Sequence, residues 1–158
     1  MDNDAFRLHV HNSIHAIGSA DWNKLAGTEN PFIQYEFISA LEDGGAVGAN
    51  SGWNIAHLAL YDTSNKLLGV APHYIKQHSY GEYIFDHSWA QAFERAGGAY
   101  YPKSLSAVPF TPATGPRLLV TKGDAAQKAA MARSLASLTE QNQLSSSHIN
   151  FLPAEDTA

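Results

Sequence analysis

Residues 53–77 read WNIAHLALYDTSNKLLGVAPHYIKQ, and the fold turns on this stretch. From Trp53 to Tyr61 the side chains follow a period of two, the repeat of a strand. Asp62-Thr63-Ser64-Asn65 has the composition of a turn, and Lys66 to Gln77 is the returning strand. The segment is therefore predicted to be an antiparallel hairpin.

Upstream of the hairpin, Phe6 to Ile17 alternates loosely and predicts a first strand. Ser19 is placed to cap a short helix through Asp21, Trp22 and Leu25. Asn30 as N-cap and Pro31 at the first helical position open a second helix. Ile33, Phe37, Ala40 and Leu41 line it, and Gly44-Gly45 stops it.

Downstream, Glu82 to Phe85 predicts a short strand. Ser88 to Ala96 predicts a helix with Trp89, Ala92, Phe93 and Ala96 on one face. Tyr101 to Pro109 is extended because Pro102 and Pro109 bias the residues before them. Thr111 to Pro116 is a rigid loop, and Arg117 to Thr121 a strand. Gly123-Asp124 opens a last helix, with Asp124 as cap, Gln127 reaching back, and Met131, Leu135 and Leu138 on one face to about Gln141. Ser147 to Leu152 is a final strand. This alternation predicts an α/β (α+β) fold, a mixed and mostly antiparallel sheet flanked by helices. The division is one domain over residues 1–152 and an untethered tail over 153–158.

The 158 residues, 44% hydrophobic and 16% charged, suit a single globular core. A net charge of −5 offers no electrostatic footprint for nucleic acid. The absence of cysteine excludes disulfides, thiolate nucleophiles and Cys-based zinc sites. No basic-then-apolar leader and no apolar run near the ~20 residues of a membrane span occur, so a cytoplasmic protein without membrane contact is expected.

Eight histidines raise the question of a metal, but His9, His11 and His15 lack ligand spacing and no His-Glu-x-x-His helix occurs. They are expected at the surface or partly packed, with no metal bound. There is no Gly-x-Ser-x-Gly elbow, no Gly-x-Gly-x-x-Gly and no Walker-type loop. The unusual stretch is Gln77 to Arg117, which mixes aromatic rings, prolines and a few charges as the wall of a binding groove does. Tyr80, Tyr83, Trp89, Tyr100 and Tyr101 offer stacking faces with polar tips.

Six segments in order carry a family resemblance: NPFIQYEFISALEDGGAVG (30–48), GWNIAHLALYD (52–62), LLGVAPHYIK (67–76), HSYGEYIFDHSWAQAFERAG (78–97), YYPK (100–103) and AVPFTPATGPRLL (107–119). They resemble the FemAB-like, peptidoglycan-associated N-acyltransferases of bacteria, from about Asn30 to Leu152. The resemblance implies a domain of the GNAT acetyltransferase type and transfer of an acyl or aminoacyl group to an amine. Family members continue for about another domain, which makes this chain the N-terminal half, with acceptor recognition as its expected task.

For acyl transfer, the resemblance and the residue types point to Asp86, Glu82 or His87 as general base and to Tyr101 or Tyr83 as proton donor. Asp86 has a second reading as the cap of the following helix. Lys76, Lys103 and Arg117 suit an acidic acceptor, with Tyr80, Tyr83, Trp89, Phe110 and Thr111 as further binding residues. The loop from Pro109 to Gly115 lies where GNAT proteins often cradle a pyrophosphate, but it lacks the Arg/Gln-x-x-Gly-x-Gly/Ala pattern. No cofactor is therefore expected in this half, with acyl-CoA or aminoacyl-tRNA as donor to the full-length protein. The expected partners are a C-terminal GNAT-like domain or a second copy, and a small-molecule or peptide acceptor. The alternative is a non-catalytic ligand- or partner-binding module on the same scaffold.

Overall fold

The computed structural model describes residues 5–121 and 124–156. The strands are β1 (Phe6–His11), β2 (Trp53–Ile55), β3 (His57–Asp62), β4 (Leu67–Ala71), β5 (His73–Lys76), β6 (Lys103–Ser106), β7 (Leu119–Val120) and β8 (Ser147–Ile149). The α-helices are α1 (Ser19–Ala26), α2 (Tyr35–Asp43), α3 (His87–Arg95) and α4 (Ala125–Gln141).

The predicted hairpin forms. The Asp62 carboxylate accepts the backbone N–H groups of Ser64 (2.8 Å) and Lys66 (2.9 Å), and β3 and β4 run antiparallel from that turn. Each arm then breaks, one at Ala56 and the other at Pro72, which has no N–H to give a ladder. The Ala56 N–H donates to the His73 carbonyl at 3.0 Å and holds the arms together across the break. Beyond it the same arms continue as β2 and β5 in a different sheet. The single expected sheet is thus two, in the orders β1-β3-β4-β7 and β2-β5-β6-β8. All neighbours pair antiparallel except β6 and β8.

Both faces of the first sheet are covered, as the burial of β3 requires. Ala59 and Val70 meet Ile14, Trp22, Ile33 and Ile38 on the side of α1 and α2. Leu58 and Leu60, one pleat away, meet Ala130, Met131 and Leu135 of α4. The approach of α4 is close, since a Cβ on Gly69 would stand 2.8 Å from Met131 Sδ. Trp53, Tyr74 and Leu105 centre a third cluster on the second sheet.

Several local expectations are corrected. The first strand stops at His11, and a 3-10 turn over Ile14–Ala16 follows, capped by Ser13. Ser19 is the first residue of α1, with Gly18 before it. The Asn30 side chain caps as expected, accepting from Phe32 N at 3.0 Å, but Pro31–Ile33 is a single 3-10 turn. Gln34 is extended and α2 begins at Tyr35, because α1 captures the backbone there: Trp22 Nε1 donates to Ile33 O (2.7 Å) and Tyr35 N donates to Asn23 Oδ1 (2.8 Å). Residues 82–85 form a loop rather than a strand, with Tyr83 at φ 57°. The strand expected over Arg117–Thr121 shrinks to β7.

Asp124 caps α4 by accepting from Gln127 N (2.9 Å), while the Gln127 side chain accepts from Thr121 N (3.2 Å) instead of returning to the cap. Gly123 lies outside the described residues. The final strand ends at Ile149, and residues 154–156 make a 3-10 turn that is tied back by a pair between Asp156 and Lys128.

Candidate functional site

Antiparallel pairing of β5 with β6 sets Lys76 directly opposite Lys103, and both side chains are fully buried. Two like charges at facing positions repel, so the pair demands carboxylates. The loop that leaves β5 supplies them as it doubles back through Glu82 and Asp86. Lys103 Nζ donates to Ser79 Oγ, Glu82 Oε2 and Asp86 Oδ2, each at 2.9 Å, which uses all three of its protons. Lys76 Nζ donates to the Tyr80 carbonyl (3.2 Å), stands 3.5 Å from the Trp53 ring centroid and is 3.9 Å from Glu82 Oε1. Glu82 therefore bridges the two lysines.

Burial drives the Lys76 ammonium down to about 7; the charge of Lys103 adds to this and that of Glu82 opposes it. Burial raises Glu82 against the pull of both lysines. Burial acts the same way on Asp86, but hydrogen bonds from Lys103, Ser79 and Tyr100 outweigh it and hold the carboxyl at about 2.

Asp86 precedes α3 but its side chain makes no capping bond, so the cap reading is corrected. It accepts instead from Tyr100 Oη (2.8 Å) and Lys103. Tyr101 Oη lies 2.7 Å from Ser79 Oγ, and its ring meets that of Tyr100 edge-on. The structure thus gathers Lys76, Glu82, Asp86, Tyr100, Tyr101 and Lys103 of the expected residues, and adds Ser79 and Trp53. Lys76 and Lys103 have no exposure and Glu82 only 4%, while the Asp86 side chain keeps 12%, so three of the four charges are shut off from solvent and Asp86 stands at the edge.

The remaining expected residues divide into two groups. Tyr80, Tyr83 and Trp89 are exposed, as are Phe85 and Phe93; Phe85 reaches 86% and Trp89 70%. α3 buries only Ala90, so its apolar face looks outward. Phe110 links this surface to the node: its ring lies 5.5 Å from that of Trp53 and its N–H donates to Gly81 O. Gly81 sits at φ +79°, and a Cβ there would stand 2.6 Å from the Phe110 ring. His87 is exposed beside the Tyr80 ring.

Thr111 and Arg117 do not join the node. Thr111 Oγ1 donates to Pro109 O, and the buried Arg117 guanidinium donates to the carbonyls of Ala113, Gly115 and Pro116. Arg117 braces its own loop, and burial brings it down to about 10.

A second buried polar network escaped the sequence reading, which placed the histidines at the surface or partly packed. His57 and His73 have no exposure. His57 Nδ1 accepts from His73 N (3.2 Å), which leaves the proton on Nε2, 2.8 Å from Glu42 Oε1. Glu42 also accepts from Ser13 Oγ and Ile14 N. His73 is held between Ser106 Oγ (2.9 Å) and Ser104 Oγ (3.2 Å). Burial keeps His73 near 3 and lowers His57, so both rings are neutral. Nothing in the spacing of residues 57 and 73 signals this; it follows from the sheet junction. Among the described residues no group of three or more His, Asp or Glu is arranged to hold a metal ion, and no helix is long and apolar enough to cross a membrane.

The architecture is that of a mixed α+β domain, two mostly antiparallel sheets sharing a hairpin with helices packed around them. Residues 13–158 match the model of the FemAB-like family, described as peptidoglycan biosynthesis/recognition, and the chain belongs to that family. No curated protein and no solved structure matches it.

Proposed function

We propose that this chain is the acceptor-recognition part of an N-acyltransferase that adds an acyl or aminoacyl group to an amine of a peptidoglycan precursor. The observation that carries the reading is an exposed aromatic surface, Tyr80, Tyr83, Phe85, Trp89 and Phe93, fastened to the domain by a buried four-charge node. Aromatic side chains present large contact faces to sugar rings and peptides at low entropic cost. The node fixes the loop that bears them, so little ordering remains for binding to require. Family membership supports a role in peptidoglycan biosynthesis or recognition.

In this reading Asp86, Glu82 and Lys103 position the loop, and the two carboxylates, both taken up by Lys103, do not act as bases in this conformation. The donor, acyl-CoA or aminoacyl-tRNA, is handled by a C-terminal GNAT-like domain. A second reading, a partner-binding module without chemistry, draws on the same outward face of α3.

Calorimetric titration with a peptidoglycan-precursor pentapeptide and with acetyl-CoA separates them. The pentapeptide is expected to bind and the acetyl-CoA not, and Trp89→Ser with Phe85→Ser is expected to weaken binding at least ~10-fold, about 1.4 kcal/mol. Binding of acetyl-CoA alone overturns the proposal. Binding of neither, with self-association in sedimentation that the double variant abolishes, selects the second reading.

A further inference from the structure

On the face of the first sheet that carries α4, well away in sequence from the ionic node, an edge strand and a helix enclose a groove of about 310 Å³. β1 ends its sheet and has β3 as its one neighbour. Among the described residues no backbone group of Phe6–His11 bonds outside that ladder, so one side of the strand keeps its N–H and C=O groups free. Free edges of this length are commonly blunted by charged side chains, proline or a bulge. β1 has one charged residue, Arg7, whose guanidinium bonds the Asp62 and Thr63 carbonyls, and it has no proline or bulge; its ladder with β3 runs in unbroken register from Phe6 to His11.

The side chains suit an extended occupant. Phe6, Leu8 and Val10, alternate residues of β1, line one wall, and Val10 is 47% exposed. Arg133, Ser134, Ser137 and Gln141 line the other from one face of α4, at the spacing of successive helical turns. None of these four polar side chains makes an ion pair or hydrogen bond among the described residues. Among the described residues Arg133 is the single ionised residue that lines the groove, and no carboxylate there pairs with it, in a chain of net charge −5.

We propose that this groove binds an extended acidic peptide segment of another protein, which adds to β1 as a further strand. The peptide's backbone completes the ladder, its alternate apolar side chains enter between β1 and α4, and one carboxylate pairs with Arg133. Six residues span roughly 20 Å, the length of β1. A second copy of this chain fits less well. Its own β1 would bring Arg7 and His9 and no acid, leaving Arg133 unanswered.

The test is selection from a phage-displayed library of random octapeptides against the whole chain. Enriched peptides are then measured by fluorescence anisotropy, and amide hydrogen exchange of residues 6–11 is followed on addition. The expected result is enrichment of peptides that alternate apolar and acidic residues. Such peptides protect the β1 amides and bind Arg133→Glu at least ~10-fold more weakly. Arg133 is exposed, and a thermal melt confirms that the variant is folded. Absence of enrichment, enriched peptides without acids, or equal binding to Arg133→Glu overturns the proposal. Protection of β1 that rises with chain concentration alone overturns it too and assigns the edge to a second copy.

Discussion

β5 carries one member of each buried polar cluster, His73 at its first residue and Lys76 at its last. The two clusters solve the same problem in opposite ways. At the sheet junction His57 and His73 stay neutral, and each ring nitrogen finds a hydroxyl, an amide or the Glu42 carboxylate. At the other end of β5 the lysines face each other, and the loop folds back to bring carboxylates to them. A histidine meets burial by releasing a proton at little cost near neutral pH, whereas the Lys103 ammonium is answered by two carboxylates and Lys76, brought down to about 7, by Glu82 and the Trp53 ring. The histidine cluster therefore belongs to the core, where it binds strands to one another and, through Glu42, to α2. The charged cluster reaches outside the sheet and fastens a functional loop.

The largest expected effect breaks the charged cluster. Lys103→Ala leaves Glu82 and Asp86 buried without their shared ammonium and is expected to cost roughly 3–5 kcal/mol in urea unfolding. Replacing all four charged residues by apolar residues of similar size (Lys76→Met, Lys103→Met, Glu82→Leu, Asp86→Leu) is expected to recover most of that loss. Equal destabilisation of the single and quadruple variants would falsify the account of the node as a charge-pairing device.

The next effect separates the clusters by pH. The folded His73 titrates near 3, below its ordinary value, so between about pH 6.5 and 3 the unfolded chain takes a proton that the folded chain refuses. Stability should fall through that window as the pH is lowered, by about 1.4 kcal/mol per unit for this group, and His73→Gln should flatten the slope. Asp86, held at about 2, withdraws its contribution only as the pH falls from about 4 towards 2. Unfolding midpoints between pH 7 and 5 that decline equally in wild type and His73→Gln would remove the histidine from the account.

The smallest effect lies at the surface. Trp89→Ser and Phe85→Ser should change stability by no more than ~0.5 kcal/mol, because neither ring is packed. A larger loss in thermal unfolding would place these rings in the scaffold instead of on a recognition surface.

The legible parts of the molecule were those decided by near neighbours in the chain. The Asp62 turn and the Asp124 cap are made by bonds spanning two to four residues, and both were readable. The break at Gln34 was not, because Trp22 and Asn23 impose it from another helix. Lys66 to Gln77 reads as one strand, and although Pro72 interrupts it, no local feature says that the two halves enter different sheets. Residues 82–85 have the apolar and aromatic composition of a strand, and the anchoring of Glu82 and Asp86 on Lys103 keeps them a loop.

The same holds for the site. Lys76, Glu82, Asp86, Tyr101 and Lys103 stood out as charges and hydroxyls among rings, but the opposition of the two lysines exists only in the register of β5 and β6. Arg117 carried the right chemistry for an anion, and its own loop carbonyls take it up. Ser79 gave no signal at all, though Lys103 depends on it.

The shared hairpin also bears on how such a domain can be altered by descent. A boundary drawn between the two sheets cuts both arms, at Ala56 and at Pro72, so neither sheet can be lost, duplicated or exchanged as a separate module. Novelty has to enter at the ends of the paired strands, in the Asp62–Asn65 turn or in the long excursion between β5 and β6. That excursion is where the aromatic surface lies.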